Sequence, residues 1–195
     1  EARVYSLVGE YRARLAERIG MSVAYGSVWQ RRSEGSNEHA PMAALGFTYD
    51  ATKALQWRAT ISRRVRVPSL TQLYDSVRGN PDLQFEKATT GEIGVSWRPS
   101  PAYALSGAVF QTRVKDFIES DDNGVSANRE RSRFTGFEVA GDLKPFARLF
   151  VRASYSYLRA RDESSGALFD ELQYRPEHKY TVDAQYRVTD RATLA

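Results

Sequence analysis

The chain has 195 residues, a formal net charge of +4 and no cysteine, which excludes disulfide frameworks, thiolate metal sites and cysteine nucleophiles. Its length suits one domain, and no stretch approaches the ~18 consecutive apolar residues of a membrane helix. A transmembrane β-barrel stays open, because it carries its apolar residues at alternate positions.

Taken in chain order, residues 4–15 and 21–30 alternate weakly between apolar and polar. Ala13 to Ile19 could make a helical turn, but the Leu15 and Ile19 spacing is too short to outweigh the flanking alternation. Residues 43–50 and 55–64 alternate clearly, with Leu45, Phe47 and Tyr49, then Leu55, Trp57 and Ile61, on the apolar faces. The run from Leu55 continues to Arg66. A link punctuated by Pro68, Gly79 and Pro81 follows, and alternation resumes from Glu86 to Arg98. Residues 102–118 read as a strand with a mixed lower half. In 134–143, Thr135, Phe137, Val139 and Leu143 oppose Gly136, Glu138 and Asp142. In 149–157, Leu149, Val151, Ala153, Tyr155 and Tyr157 oppose Phe150, Arg152, Ser154 and Ser156. The clearest run is 179–188, where Tyr180, Val182, Ala184, Tyr186 and Val188 face away from Lys179, Thr181, Asp183, Gln185 and Arg187. Period two on this scale predicts nine strands and the start of a tenth, with no helix.

The connections alternate as well. They are short at 16–20, 50–53, 99–102, 144–147 and 189–191, and long at 31–41, 67–85, 119–132 and 161–173. Pro99-Ser100-Pro101, Lys144-Pro145 and Thr189-Asp190-Arg191 supply turn chemistry at the short end. A meander with tight turns at one end and long loops at the other is the pattern of an outer-membrane barrel. Aromatics gather near both ends: Tyr49, Trp57, Trp97, Tyr103, Phe146 and Tyr186 by the tight turns, and Trp29, Tyr74, Phe117, Tyr157, Tyr174 and Tyr180 by the loops. Such girdles mark the two bilayer interfaces. A soluble β-sandwich also has one apolar face per strand. The predicted strands exceed the usual ~5–6 residues of globular sheets, and sandwiches insert Greek-key crossovers. The fold class expected is therefore all-β, an antiparallel up-and-down meander forming part of a transmembrane β-barrel, with residues 1–195 as one partial barrel. Glu1 is not an initiator Met, and the chain stops at Thr193-Leu194-Ala195 inside a strand pattern, so a fragment of a larger protein is expected. Its open edges would pair with another copy, or the sheet would curl to close.

Arg66-Val67-Pro68-Ser69-Leu70-Thr71-Gln72-Leu73-Tyr74, then Gly79-Asn80-Pro81-Asp82-Leu83 and Glu86, then Glu92-Ile93-Gly94, resembles the C-terminal half of the barrel of TonB-dependent outer-membrane receptors. Phe110 through Lys115-Asp116-Phe117-Ile118, Gly136-Phe137-Glu138, Tyr155-Ser156-Tyr157-Leu158 and Tyr174-Arg175-Pro176-Glu177-His178-Lys179 follow in the family's order, so the resemblance covers roughly residues 40–190. Phe85 departs from the family's usual Pro before the Glu, and Val67 stands where many haem receptors have Ala. The resemblance implies an outer-membrane location in a Gram-negative envelope and active uptake of a metal chelate, a ferric siderophore or cobalamin. It also implies a plug domain and TonB as partners and no cofactor. A passive porin-like channel, or a structural barrel that binds through its loops, is the alternative. An enzyme is not expected: there are only two histidines and no Gly-x-Ser-x-Gly.

The family's haem receptors use a loop His between the Arg-x-Pro and Asn-Pro segments. Residues 69–79 contain none, and His39 and His178 read as interfacial, so haem is disfavoured. Asp121-Asp122-Asn123-Gly124 lacks the ligand series of a calcium loop and reads as a turn, so no metal site is expected. Arginines cluster at the loop end. There they could form a solvated rim, pair with lipopolysaccharide phosphates, or pair with an anionic chelate. The ligand-binding candidates are Arg66, Tyr74, Arg78, Arg129 and Arg131. Polar residues on the other face of the strands, among them Arg58, Glu92, Asp142 and Arg152, would line the lumen, and some should pair as ions across strands.

Overall fold

A computed structural model describes residues 1–121, 123–164, 172, 175–189 and 192–194. It contains ten strands: β1 (Ala2–Ala16), β2 (Ile19–Arg32), β3 (Glu38–Asp50), β4 (Leu55–Arg66), β5 (Glu86–Ser100), β6 (Tyr103–Ser120), β7 (Ser126–Phe146), β8 (Leu149–Asp162), β9 (His178–Thr189) and β10 (Ala192–Leu194). They form one antiparallel sheet whose spatial order is the chain order. The up-and-down meander read from the alternation is thus the observed one. The sheet does not close on itself. Among the described residues β1 and β10 are its two ends, so the curling into a closed sheet that the sequence suggested does not occur in the single chain.

The register is staggered in one direction. Leu55, the first residue of β4, pairs with Trp97, and β5 runs on to Ser100. Tyr103 opens β6 opposite Leu143, and β7 runs on to Phe146. Leu149 opens β8 opposite Tyr186, and β9 runs on to Thr189. A constant offset tilts strands against the axis of a barrel. The alternation then sorts the two faces. Ile61, Ile93, Val109 and Val139 remain exposed on one. Arg58, Glu92, Asp142 and Arg152 lie on the other, where Arg58 Nε donates to Glu92 at 3.1 Å and Arg152 Nε to Asp142 at 2.7 Å. These are cross-strand ion pairs of the kind expected for a polar lumen wall.

Two features differ from the sequence reading. Residues Leu70–Tyr74 form a one-turn helix, α1, inside the link expected to lack one. Its cause is local: the Ser69 hydroxyl accepts from the Gln72 N–H at 3.2 Å while the Gln72 side chain accepts from the Ser69 N–H at 3.0 Å, a reciprocal capping box. The long links at 31–41 and 119–132 are also largely strand. β2 reaches Arg32 and β3 resumes at Glu38, while β6 reaches Ser120 and β7 resumes at Ser126. There the backbone ladder continues past the apolar face. One face of these extensions meets solvent and the other carries residues such as Arg32, Ala40 and Ser132 buried against protein rather than lipid, so the period-two hydropathy stops before the hydrogen bonds do. Tyr174, Asp122, most of 161–173 and the centre of the 189–191 turn lie outside the described residues.

Candidate functional site

The link between β4 and β5 is a packed structure, not a free loop. Leu73, Leu83 and Phe85 are at most 1% exposed. Phe85 packs with Val28 and Ala40 of the β2–β3 hairpin, while Leu73 and Leu83 pack with Ile118 of β6 and Tyr74. The Arg32 side chain, fully buried, donates from one Nη to the carbonyls of Pro81 at 3.0 Å and Leu83 at 2.8 Å. Asn80 Nδ2 donates to the Ser126 carbonyl at 3.0 Å, which ties the link to the β6–β7 hairpin as well. Glycine is required at two tight places. A Cβ on Gly79 would stand 2.5 Å from the Asp75 backbone, and Gly35, at φ +84°, would place one 2.3 Å from the Pro81 carbonyl. Val28, Gln30 and Arg32 share the side of β2 that continues the polar wall through Ser22, so the link docks over the lumen side of the sheet.

The five candidate residues take different places around this body. Arg66 forks onto both carboxylate oxygens of Glu86, its direct cross-strand neighbour, and Glu86 also accepts from the Ile118 N–H at 2.7 Å. The hydrogen bond to Glu86 raises the guanidinium pKa above its ordinary value, so Arg66 stays charged and is paired with that carboxylate. Tyr74 is half-buried and donates its hydroxyl to the Glu34 carbonyl at 3.3 Å. Arg78 projects an exposed side chain from a turn built by Asp75, whose carboxylate accepts from the N–H groups of Val77 and Arg78. Those two bonds, Arg78's first, hold the Asp75 pKa below the usual Asp value.

Arg129 bridges Glu119 at 2.7 Å and Asp162 at 3.0 Å, joining β6, β7 and β8. Arg131 is exposed; its backbone is held by Ser164 and Glu163. The link thus brings Arg66, Tyr74 and Arg78 into one body, with Arg129 and Arg131 on the neighbouring hairpin.

Several residues that hold the site were not among the ligand-binding candidates read from the sequence. Glu86, Phe85 and Arg32 form the buried frame, and Arg175 lies over the rings of Phe117 and Phe134 at 5.1 and 5.3 Å while reaching Glu119 at 3.4 Å. The signal for Phe85 was present as a bulky apolar residue at a punctuated link, where a loop residue is normally polar. Among the described residues no group of three or more His, Asp or Glu converges as a metal site.

Residues 9–193 match the family described as TonB dependent receptor-like, beta-barrel. The chain belongs to the TonB-dependent receptors. It is 30% identical over 116 residues to the catecholate siderophore receptor Fiu of Escherichia coli K12, a match covering 56% of this chain and 15% of that protein. It is 26% identical over 123 residues to hemoglobin-haptoglobin-binding protein A of Haemophilus influenzae, covering 51% and 12%. The crystal structure of Fiu superposes with a TM-score of 0.76 at 18% identity, over 97% of this chain and 32% of that one. The ferripyoverdine receptor of the outer membrane of Pseudomonas aeruginosa gives 0.76 at 14%, over 97% and 26%. The chain therefore spans about a third or less of these receptors. In this TonB-dependent receptor barrel the short connections are the periplasmic turns, and the packed link between β4 and β5 sits at the extracellular end.

Proposed function

We propose that the chain is a section of the wall and extracellular mouth of an outer-membrane receptor in a Gram-negative envelope. The complete protein would take up a ferric siderophore with energy from TonB. β1 and β10 would pair with the neighbouring strands of the complete barrel, and a plug domain would fill the lumen beside Arg58, Glu92, Asp142 and Arg152. The observation that carries this reading is the link from Val67 to Phe85, folded into a fixed body over the lumen side with Arg78 and Tyr74 at its surface. A rigid rim with an exposed guanidinium can hold an anionic chelate without a large ordering cost. The similarity to a protein named as a catecholate siderophore receptor supports a ferric siderophore over cobalamin.

The candidate residues would then divide their work. Arg78 and Tyr74 contact the chelate. Arg66 and Arg129, already paired with carboxylates, hold the mouth in shape. Arg131 lies with the outward-facing basic residues, where it meets lipid or solvent.

The test is uptake of radiolabelled ferric catecholate by cells whose only siderophore receptor is the complete protein carrying this chain, with and without TonB. TonB-dependent accumulation is expected, and Arg78→Ala should raise KM several-fold while the receptor still assembles. Accumulation that ignores TonB would favour a passive channel and overturn the reading.

A further inference from the structure

The tight-turn end of the sheet carries a charge pattern that neither the wall nor the mouth uses. Four strands finish there in the same way. The N–H groups of Asp50, Arg98, Lys144 and Arg187 donate to the carbonyls of Arg18, Ala54, Ala102 and Arg148 in the neighbouring turns, at 2.7 or 2.8 Å. These four residues hold equivalent places on a stepped lip. Each continues the lumen-facing set of its strand: Asp50 opposite Gln56, Arg98 after Ser96, Lys144 after Asp142 and Arg187 after Gln185. Three of the four are bases. The fourth is engaged, because Asp50 pairs with Arg14 at 3.5 Å and accepts from Gln56 at 2.7 Å.

The bases converge at one place. A hollow of about 450 Å³ opens between the β5–β6 turn, the β7–β8 turn and the end of β9, lined by Lys144, Arg148 and Arg187 with Gln185 and the ring of Phe150. Phe150 pairs with Gln185, two positions from the Arg152 and Asp183 row, so the hollow lies on the lumen side. All three bases are exposed, and among the described residues none makes an ion pair. The nearby carboxylates are taken. Asp142 is forked by Arg152 at 2.7 and 3.1 Å, and Asp183 accepts from Gln185 at 3.4 Å. Like charges held together repel, and an anion seated between them relieves the repulsion.

The floor of the hollow adds a second kind of contact. The Phe150 ring has Lys144 Nζ at 5.8 Å and the Arg152 guanidinium at 5.5 Å from its centre, within the range of cation–π attraction. These contacts hold two cations around one ring. A small inorganic anion has no use for the ring, whereas an aromatic anion can use both the ring and the charges.

We infer that this hollow is a second, weaker seat for the anionic chelate, at the periplasmic lip of the lumen where the cargo leaves the receptor. The inference rests on the proposal that the complete protein takes up a ferric catecholate. Lys144, Arg148 and Arg187 would meet the metal-bound catecholate oxygens, which guanidinium forks suit, and Phe150 would face a catechol ring. The hollow falls within the ~300–1,000 Å³ of small-molecule sites. Its cations stand in water, where salt screens them, so the seat is weak enough to release what it holds.

The experiment is calorimetric titration of the complete receptor in detergent with three probes: a ferric tris-catecholate, inorganic phosphate and an acidic octapeptide. The chelate should fill a tight site and a second, weaker one. The triple substitution Lys144→Gln, Arg148→Gln and Arg187→Gln should weaken the second site at least tenfold and leave the tight one, which also reports that the receptor is folded. Arg148→Lys with Arg187→Lys should retain most of the second site. Phe150→Leu should weaken it several-fold without changing phosphate binding. Lys53→Gln, on the β3–β4 turn outside the hollow, should change neither site. In cells the triple variant should lower the maximal rate of uptake several-fold while binding at the cell surface without TonB stays unchanged. A tight site with no second one, a second site that the triple substitution leaves intact, or an unchanged maximal rate would overturn the lip seat alone. Phosphate bound there as tightly as the chelate would replace it with a small-anion site, and the peptide bound more tightly would replace it with a protein-docking site. No TonB-dependent accumulation by the unaltered receptor would overturn the receptor reading itself.

Discussion

The two ends of this sheet are built on different principles. Every buried hydrophobic residue among those described, from Val28 and Ala40 through Leu73, Leu83 and Phe85 to Val114, Ile118, Ala160 and Leu172, lies at the loop end. Towards the tight turns the sheet is one layer thick. There Trp57, Trp97 and Phe146 are exposed, and among the described residues no second layer of this chain covers either face. The wall is held by its backbone ladder and by the bilayer that wets its apolar side, as a barrel must be. The loop end stands beyond the bilayer and has no such solvent to lean on, so it carries a core of its own. A receptor mouth thus behaves like a small soluble domain grafted onto a membrane wall, and substitutions in the two regions should act differently.

The sharpest way to break this contrast is Phe85→Ala. Removing a fully buried ring from a packed site costs ~3–5 kcal/mol, enough to open the link locally. Hydrogen exchange across residues 69–86 should accelerate strongly while β8 and β9 keep their protection. Glu86→Ala comes next. It strips the fork from Arg66 and leaves the buried Ile118 N–H without its acceptor, and charge-assisted bonds of this kind are worth ~1.5–3 kcal/mol each. The same exchange window should respond, with β6 near Ile118 joining it. Ser69→Ala removes half of the capping box, at a cost of ~1 kcal/mol, and should fray only α1. In the wall, Arg58→Gln with Glu92→Gln should alter thermal stability by less than ~1 kcal/mol, because half-exposed pairs contribute little.

The smallest effect is on pH. The Asp75 pKa is held below the usual Asp value of 3.8 by the Arg78 and Val77 N–H groups. Its contribution is therefore present above that value and fades as pH falls through the lowered one. Exchange in the 75–79 turn should rise only below the ordinary Asp range, and Asp75→Asn should abolish that step.

The wall was legible in the sequence because one face meets lipid and the other a polar lumen, and that contrast writes itself as Tyr180, Val182, Ala184 against Lys179, Thr181, Asp183. The strand extensions around Ser120 and Ser126 were not legible, since neither of their faces meets lipid. The helix at Leu70 hid behind Pro68 and Gly79, although Ser69 and Gln72 have the spacing of a cap. The candidate residues were found by charge and placement. Charge alone does not distinguish Arg66, committed to Glu86, from Arg78, which is exposed. That difference depends on a carboxylate twenty positions along the chain and on the register that places it opposite. The bases of the periplasmic lip were visible as single residues, but their equivalent places on successive strand ends appear only once the strands are paired.

The claim that the mouth is a folded body is tested most directly by hydrogen exchange on the complete receptor in detergent micelles, followed residue by residue from Val67 to Phe85. A packed link predicts slow exchange at Leu73, Asp75, Gly79 and Asn80, whose N–H groups donate to backbone carbonyls of the same link, with rates close to those of the paired residues in β5. Exchange at all four as fast as in an unstructured peptide, beside a protected β5, would contradict the account.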